Sequence, residues 1–494
     1  MEFTEPLIHT ALLGTDKRQL KKEDVPAHLA TTLELIEQSA LYKEESFLQV
    51  ATILANYRKC GVMPLHEEAI TITKAETEER AYANATTHQV LKDILAEESP
   101  ALVGYWLQVC DHFKLVVQPE LIPALLELGA KHKVWQPLVI SCTGKRGEWL
   151  SSFNHRWQFN PKESEDELWH RGTGEQRRQV LQTLRAKEPA KAREWLQEAW
   201  PQENANTKAN LLGQLSINVS NEDKEWLESL LTEKSSKVKE VALELLKRIP
   251  TSEIVQQYRH LVQQAVRLRK EKGLLGIGSK ENLEIHSLSN EDEAIFKSGI
   301  EKLSNLKEFT DDEFIIYQLM QSVPPVNWET HLGKTPEEII QLFKKGKDTK
   351  KYLPAITQAT LLFKDAKWAL ALAQYSDDFY AVIVPLLPAS EWNQYSLKYA
   401  EQYGDEIIQL ALQRSEEWSM ELAKVIFKHA AKNPYGYHRS FWTQHIQYVP
   451  IAATAELEKA TPSEEYLKNM WSTTSEYIMK LLTLKLETLK AFQS

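Results

Sequence analysis

The chain has 494 residues, 43% of them hydrophobic, and its formal net charge of −10 disfavours binding to nucleic acid or anionic lipid over the whole surface. Only 17 residues are glycine, and tight β-turns need glycine, so the composition favours helices joined by short loops. The three cysteines, Cys60, Cys110 and Cys142, form no CxxC or Cys/His cluster, which predicts reduced thiols that serve packing.

The N-terminal residues MEFTEPLIHTALLGTDKRQL lack the basic and apolar regions of a signal peptide. The longest apolar run, residues 379–389, contains two prolines and is too short to cross a bilayer. We therefore expect a cytoplasmic protein with no membrane contact.

Residues 143–150, TGKRGEWL, are rich in glycine and basic side chains. The backbone amides with Lys145 and Arg146 could bind an anion, because successive N–H groups form anion-binding concavities. The alternative is a tight turn between helices with two solvated charges, and it is the preferred interpretation.

Residues 188–250 have the clearest helical periodicity. One helix is predicted from Pro189, a second over residues 207–215, a third after an N-cap at Asn221, and a fourth that ends at Pro250. Their apolar stripes repeat at i, i+3, i+4 and i+7 and hold Ala192, Leu196, Leu227, Val238, Ala242 and Leu245.

The short links between these helices imply that neighbouring helices pack antiparallel. One helix pair alone leaves part of its apolar stripes exposed, and stacking several helix pairs side by side buries them. Residues 99–108 and 188–197 also share Pro, Ala, Trp, Leu and Gln at matching positions. The predicted fold is an all-α, HEAT-like α-solenoid in two helical halves with a short connector. A helical bundle without repeats is the alternative.

A basic set of residues ends the first half and is predicted to lie on one helix that ends near Lys270. Its members are Arg259, His260, Arg267, Arg269 and Lys270. Helical-repeat proteins use such rows to neutralise phosphates, and this set is the basis of a nucleic-acid-binding alternative. A solvated face, or one paired with a neighbouring helix, is the preferred interpretation.

The sequence KGLLGIGSKE, residues 272–281, is the most glycine-dense stretch. Gly273 and Gly278 have the spacing of a P-loop, but Ser279 and Lys280 are in reversed order and no apolar strand precedes them. The stretch is therefore not a P-loop. It begins a connector in which residues 281–288, ENLEIHSL, have the alternation of a strand.

The predicted division has four parts: residues 1–145 as an N-terminal helical region, 146–272 as HEAT-like repeats, 273–350 as the connector and 351–494 as C-terminal helical repeats. His429, His438 and His445 are the densest histidine group, without the spacing of a metal site. The sequence predicts no catalytic, metal-binding or cofactor-binding residues. The tryptophans on apolar stripes are expected in the core.

Several segments resemble an uncharacterised bacterial family of unknown function with HEAT-like helical repeats. They are ALLGTDKR, GKRGEWLSSFNHRW, KAREWLQEAW, SSKVKEVALELLKRIP, LLGIGSKE and SVPPVNW. Genes of that family tend to lie near those of MoxR-type AAA+ ATPases and von Willebrand factor A domain proteins. The resemblance therefore implies a scaffold or adaptor role by association with these proteins. It assigns no functional residue.

The first hypothesis is a non-enzymatic scaffold or adaptor that binds protein partners. Its candidate partner or anion surface consists of Lys145 and Arg146 together with the basic residues Arg259, Arg267, Arg269 and Lys270. The second hypothesis is a nucleic-acid-binding protein that uses residues 259–270. An enzyme with an unfamiliar site is the third, because repeat folds carry grafted sites.

Overall fold

The computed structural model describes residues 4–39, 42–60, 74–159, 164–272, 279–288 and 293–493. The chain forms two compact units, Met1–Lys74 and Ala75–Ser494. Most of the glycine-rich stretch, residues 273–278, lies outside the described residues.

The described residues of the first unit form the α-helices α1 (Thr4–Leu13), α2 (Ala30–Gln38) and α3 (Lys43–Cys60). Its small core consists of Leu20, Val25, Leu33, Ile36, Val50 and Leu54. Cys60 at the end of α3 is exposed.

The second unit begins with a series of helices joined by short loops and 3₁₀ turns. They are α4 (Ala85–Ala96), α5 (Pro100–His112), α6 (Ile122–Lys131), α7 (Gln136–Ser151), α8 (Glu165–Arg171), α9 (Gly174–Lys187), α10 (Pro189–Ala199), α11 (Ala205–Gly213), α12 (Lys224–Ser229), α13 (Ser236–Leu246) and α14 (Glu253–Ala265). The four helices predicted within residues 188–250 are therefore confirmed, but the N-cap predicted at Asn221 is wrong, because Ser220 forms a capping box with Asp223 there. Their predicted stripe residues Leu196, Val238 and Ala242 are fully buried.

A buried ion pair ties α9 to the loop before α12. Arg185 and Asp223 are both completely buried and form a salt bridge, and Arg193 donates to the second oxygen of Asp223 at 3.0 Å. Arg185 also donates to the carbonyls of Ile217 at 2.8 Å and Pro189 at 2.6 Å. Buried charges need such partners, so this pair fixes the helices around it.

An antiparallel hairpin follows α14 and consists of β1 (Val266–Lys272) and β2 (Ser279–Ile285). The strand predicted in residues 281–288 is confirmed, but the prediction of a helix that continues to Lys270 is wrong. Residues 266–272, VRLRKEK, alternate between apolar and charged side chains at the start, which suits a strand, and Leu268 pairs with Leu283. The apolar stripe of α14 ends at Ala265, because the spacing of apolar residues changes there from the helical period to the two-residue period of a strand.

The second series of helices completes the unit. They are α15 (Glu293–Lys297), α16 (Asp311–Gln321), α17 (Val326–Leu332), α18 (Pro336–Lys345), α19 (Lys347–Lys350), α20 (Leu353–Leu362), α21 (Ala366–Tyr375), α22 (Ala389–Tyr399), α23 (Gly404–Arg414), α24 (Met420–Lys432), α25 (Arg439–His445) and α26 (Glu465–Gln493). Helices α16 and α18 begin with capping boxes from Thr310 and Thr335, which satisfy free N–H groups at the helix start.

The last helix packs against the first two helices of the same unit. Helix α26 contacts both α4 and α5, and Asn84 donates to the Ala491 carbonyl at 3.3 Å. The Phe492 ring lies 5.1 Å from that of Trp106, which is fully buried. The two ends of the second unit therefore share one core.

The prediction of a mostly helical fold with a short strand-containing connector is confirmed. Trp200, Trp368 and Trp418 are buried as expected, whereas Trp195 and Trp226 are partly buried against the same core. The HEAT-like repeat and the four-part division of the chain remain predictions.

Candidate functional site

A surface groove of about 770 Å³ lies beside α7 in the second unit. Its walls are residues 76–80, which have no regular secondary structure, the C-terminal part of α7, and the aromatic side chains of Trp157 and Phe159. We call it the α7 groove. The TGKRGEWL segment of residues 143–150 contributes to this wall.

A break in α7 at Gly144 shapes the groove. Gly144 has φ +57° and ψ −155°, a conformation essentially limited to glycine, and it separates two helical segments. A Cβ atom at this position would lie 2.0 Å from Oε2 of Glu78. Glycine is therefore required both by the backbone and by the close approach of the Glu78 carboxylate.

The Glu78 carboxylate occupies the place that the sequence offers to an external anion. Its Oε2 accepts from the Lys145 N–H at 2.9 Å, and its Oε1 accepts from the Arg80 N–H at 3.2 Å and Nε at 3.3 Å. Only 8% of its side chain is exposed. Burial raises the pKa of Glu78, but the hydrogen bonds from Lys145 and Arg80 outweigh it and hold the pKa below its usual 4.5.

The side chain of Lys145 lies on the outer side of the groove and ties its two walls together. Its Nζ is 3.0 Å from Glu76 Oε2 and 3.7 Å from Glu148 Oε2. The hydrogen bond with Glu76 raises the Lys145 pKa. Arg146 is exposed and forms no ion pair with the residues that the structure describes.

Carboxylates outnumber cations on the groove walls. Glu76, Glu78, Glu79 and Glu148 line it, against Arg80 and Lys145. Glu79 is exposed and has no salt bridge within the described part of the chain, so its charge remains available to a ligand.

Helices α5 and α7 form a tightly bonded layer next to the groove. Ser141 donates a hydrogen bond to Asp111, and the Cys142 Sγ lies 3.4 Å from the Leu107 carbonyl oxygen. Contact with the Cys110 thiol and burial both raise the pKa of Cys142. Both thiols are buried and form no disulfide within the described residues, which agrees with the predicted packing role, whereas the exposed Cys60 does not fit that role.

The second predicted surface is divided between two elements. Arg259 is on α14, while Arg267, Arg269 and Lys270 are on β1. The expected single helical row is therefore absent.

Glutamates on β2 neutralise part of that set. Arg269 pairs with Glu284 at 2.6 Å, and Lys270 pairs with Glu281 at 3.4 Å. Arg267 Nε donates to the Gln264 carbonyl at 3.3 Å. Arg267 and Arg269 are two positions apart on β1, so they share one face of the hairpin, apart from Arg259 on α14.

The three histidines have separate local roles. His429 pairs with Asp405 at 2.8 Å, and His438 caps the start of α25. Burial lowers the pKa of His445. Across the residues described, no group of three or more potential metal ligands is found.

Sequence reasoning missed the acidic and aromatic walls of the groove. Glu76, Glu78 and Glu79 are 66 or more positions from Lys145, and such pairing leaves no periodic signal. The one available signal was charge complementarity between ETEER, residues 76–80, and the GKR of residues 144–146.

No helix in the described part of the chain combines the length and apolar composition that a membrane crossing requires. Neither a curated protein nor a solved structure matches the chain. A family model, DUF5691, described as a family of unknown function, matches residues 6–492. The chain therefore belongs to this family of unknown function.

Proposed function

We propose that the protein is a non-enzymatic helical scaffold or adaptor that binds a protein partner through the α7 groove. The observation that carries this proposal is an open groove of about 770 Å³ with aromatic and charged walls on a helical unit. Recognition sites are precise when the elements that present them are rigid.

The two aromatic side chains are suited to anchor a partner. Trp157 and Phe159 are half-buried and line the groove, and Trp157 Nε1 donates to Glu127 Oε2 at 3.2 Å. Arg156 also pairs with Glu127 at 2.8 Å. Aromatic side chains with fixed orientation dominate the energetics of many protein interfaces, because they bury a large area at small entropic cost.

The resemblance in the sequence suggests the class of partner. A MoxR-type AAA+ ATPase, or a von Willebrand factor A domain protein, is the partner that we propose to test first. The segment GKRGEWLSSFNHRW, on which part of that resemblance rests, supplies Gly144, Lys145, Glu148 and Trp157 to the groove.

A pull-down from the native host tests the proposal. The full chain and its Trp157→Ala variant are used as bait, with Trp195→Ala as a control for loss of a partly buried tryptophan outside the groove. We expect one or more proteins on the wild type and control that are lost on Trp157→Ala, with unchanged circular dichroism. A wild-type chain that retains no reproducible protein would overturn the adaptor function.

A further inference from the structure

We infer that the α7 groove binds a basic segment of the partner and takes up one arginine side chain between its aromatic and acidic walls. This inference rests on the proposed function and specifies the chemistry of the partner. It combines three observations: the excess of carboxylates, the aromatic wall and an equivalent arrangement elsewhere in the chain.

The available charge selects a cation. Glu76 and Glu78 are already engaged by Lys145 and Arg80, whereas Glu79 has no salt bridge in the described residues. Glu148 is 74% exposed, and its oxygen is 3.7 Å from Lys145 Nζ, beyond hydrogen-bond distance. Glu79 and Glu148 both line the groove and are therefore the carboxylates that we propose to accept from an incoming guanidinium.

The aromatic wall favours arginine over lysine. A guanidinium is planar and weakly hydrated, stacks on aromatic faces and donates to carboxylates at the same time. A groove of about 770 Å³ accommodates such a side chain with its flanking backbone, since ligand sites typically measure about 300–1,000 Å³.

The same chain contains this arrangement within its own fold. The guanidinium carbon of Arg177 lies 4.7 Å from the centre of the Trp169 ring, and Arg177 pairs with Glu203 at 2.6 Å. An arginine held between a tryptophan and a glutamate is thus the internal template for the proposed complex. Trp157 with Glu79 and Glu148 offers those partners without the arginine.

Lys145 competes with an incoming cation for Glu148, one of those two carboxylates. Its ammonium group lies between Glu76 and Glu148, so an incoming cation meets a like charge there. Neutral Lys145→Gln removes that repulsion and frees both glutamates. We therefore expect this variant to bind a basic segment more tightly than the wild type, opposite to the effect of any change that weakens the groove.

Fluorescence anisotropy with labelled nonapeptides tests the inference on the full chain. The probes alternate leucine with arginine, lysine or glutamate. We expect the arginine peptide to bind most tightly and the glutamate peptide not to bind. Glu79→Gln/Glu148→Gln should raise the Kd for the arginine peptide about fivefold, since each exposed ion pair contributes little. Lys145→Gln should lower it.

The control has the same charge change on a different helix. Glu194 and Glu198 are exposed on α10 and have no salt bridge in the described structure, so Glu194→Gln/Glu198→Gln reports the general attraction of an acidic chain. Equal weakening by both double variants would overturn the inference. Tighter binding of the glutamate peptide would do the same.

The pull-down separates this inference from the proposed function. A partner that is lost on Trp157→Ala but retained on Glu79→Gln/Glu148→Gln leaves the adaptor function in place and rejects the basic segment. A failed pull-down rejects the adaptor function, while the peptide affinities still decide the chemistry of the groove.

Discussion

The Glu78 carboxylate accepts a hydrogen bond of 2.9 Å from the main-chain N–H of Lys145, 67 residues further along the chain. This contact provides the main-chain N–H that follows the Gly144 break with a carboxylate acceptor from the protein itself. It also fixes residues 76–80 as a wall of the groove. Its loss should therefore weaken the fold as well as the groove.

Glu78→Ala should lower the free energy of unfolding by about 1–3 kcal/mol at pH 7, because it removes the charged acceptor from the main-chain N–H groups of Lys145 and Arg80. The midpoint of urea unfolding measures this change. Glu79→Ala removes an exposed carboxylate next to it and should leave the midpoint unchanged. Equal shifts for both variants would mean that the hydrogen bond to Lys145 contributes nothing specific.

The same contact predicts a pH dependence. The pKa of folded Glu78 is held below the usual 4.5, so the folded state binds the proton less tightly than the unfolded state. The stabilisation is fully present above about pH 4.5 and is lost as the pH falls through the lower, folded-state pKa. The difference in urea midpoint between wild type and Glu78→Gln should therefore shrink as the pH is lowered through that range. A difference that stays constant would contradict this contribution.

Gly144→Ala should destabilise the protein by at least about 2 kcal/mol, because its backbone conformation is strained for any residue with a Cβ. The added carbon would also meet the Glu78 carboxylate. Gly213→Ala is the matched control, since Gly213 has helical φ −56° and an added Cβ there would meet no atom within 4 Å. Thermal unfolding should show a lower midpoint for the first variant only.

Asp223→Ala should cost about 3–5 kcal/mol, because it leaves Arg185 as a buried charge without its carboxylate. The urea midpoint is again the measurement. Glu175→Ala removes the partner of Arg178 in a solvent-exposed pair of the same helix and should change little. If the two substitutions lowered the urea midpoint by similar amounts, the buried Arg185–Asp223 pair would not stabilise the fold more than an exposed pair does.

DNA retention should be absent even at low salt, because the basic residues of β1 are partly neutralised by glutamates on β2. Wild type and Arg267→Glu/Arg269→Glu should elute together from immobilised duplex DNA. Salt-sensitive retention that the double variant abolishes would support the nucleic-acid alternative instead.

Helix positions could be predicted from the sequence, because apolar spacing and caps are local signals. Pro189 begins α10 as predicted, whereas α13 ends at Leu246, before the predicted stop at Pro250. The switch from helix to strand after Ala265 was not predicted, because the two arginines between Val266 and Lys270 are also compatible with an amphipathic helix. The strand forms because its partner, residues 279–285, completes the hydrogen bonds.

The groove could be predicted only in part. Its glycine-basic wall is a contiguous motif, so Lys145 was identified, but its acidic wall is contributed from a distant segment. The burial of Glu78 against Lys145 depends on the path of residues 76–80 along α7, which local patterns do not encode.

The packing of α26 on α4 and α5 has a consequence for synthesis on the ribosome. The side of Trp106 that contacts Phe492 cannot be covered until Phe492 has been made, so an apolar surface on α4 and α5 stays open until α26 has been synthesised. A nascent chain that stalls before Glu465 presents that surface to chaperones and proteases. Synthesis of α26 is thus the event that closes the second unit.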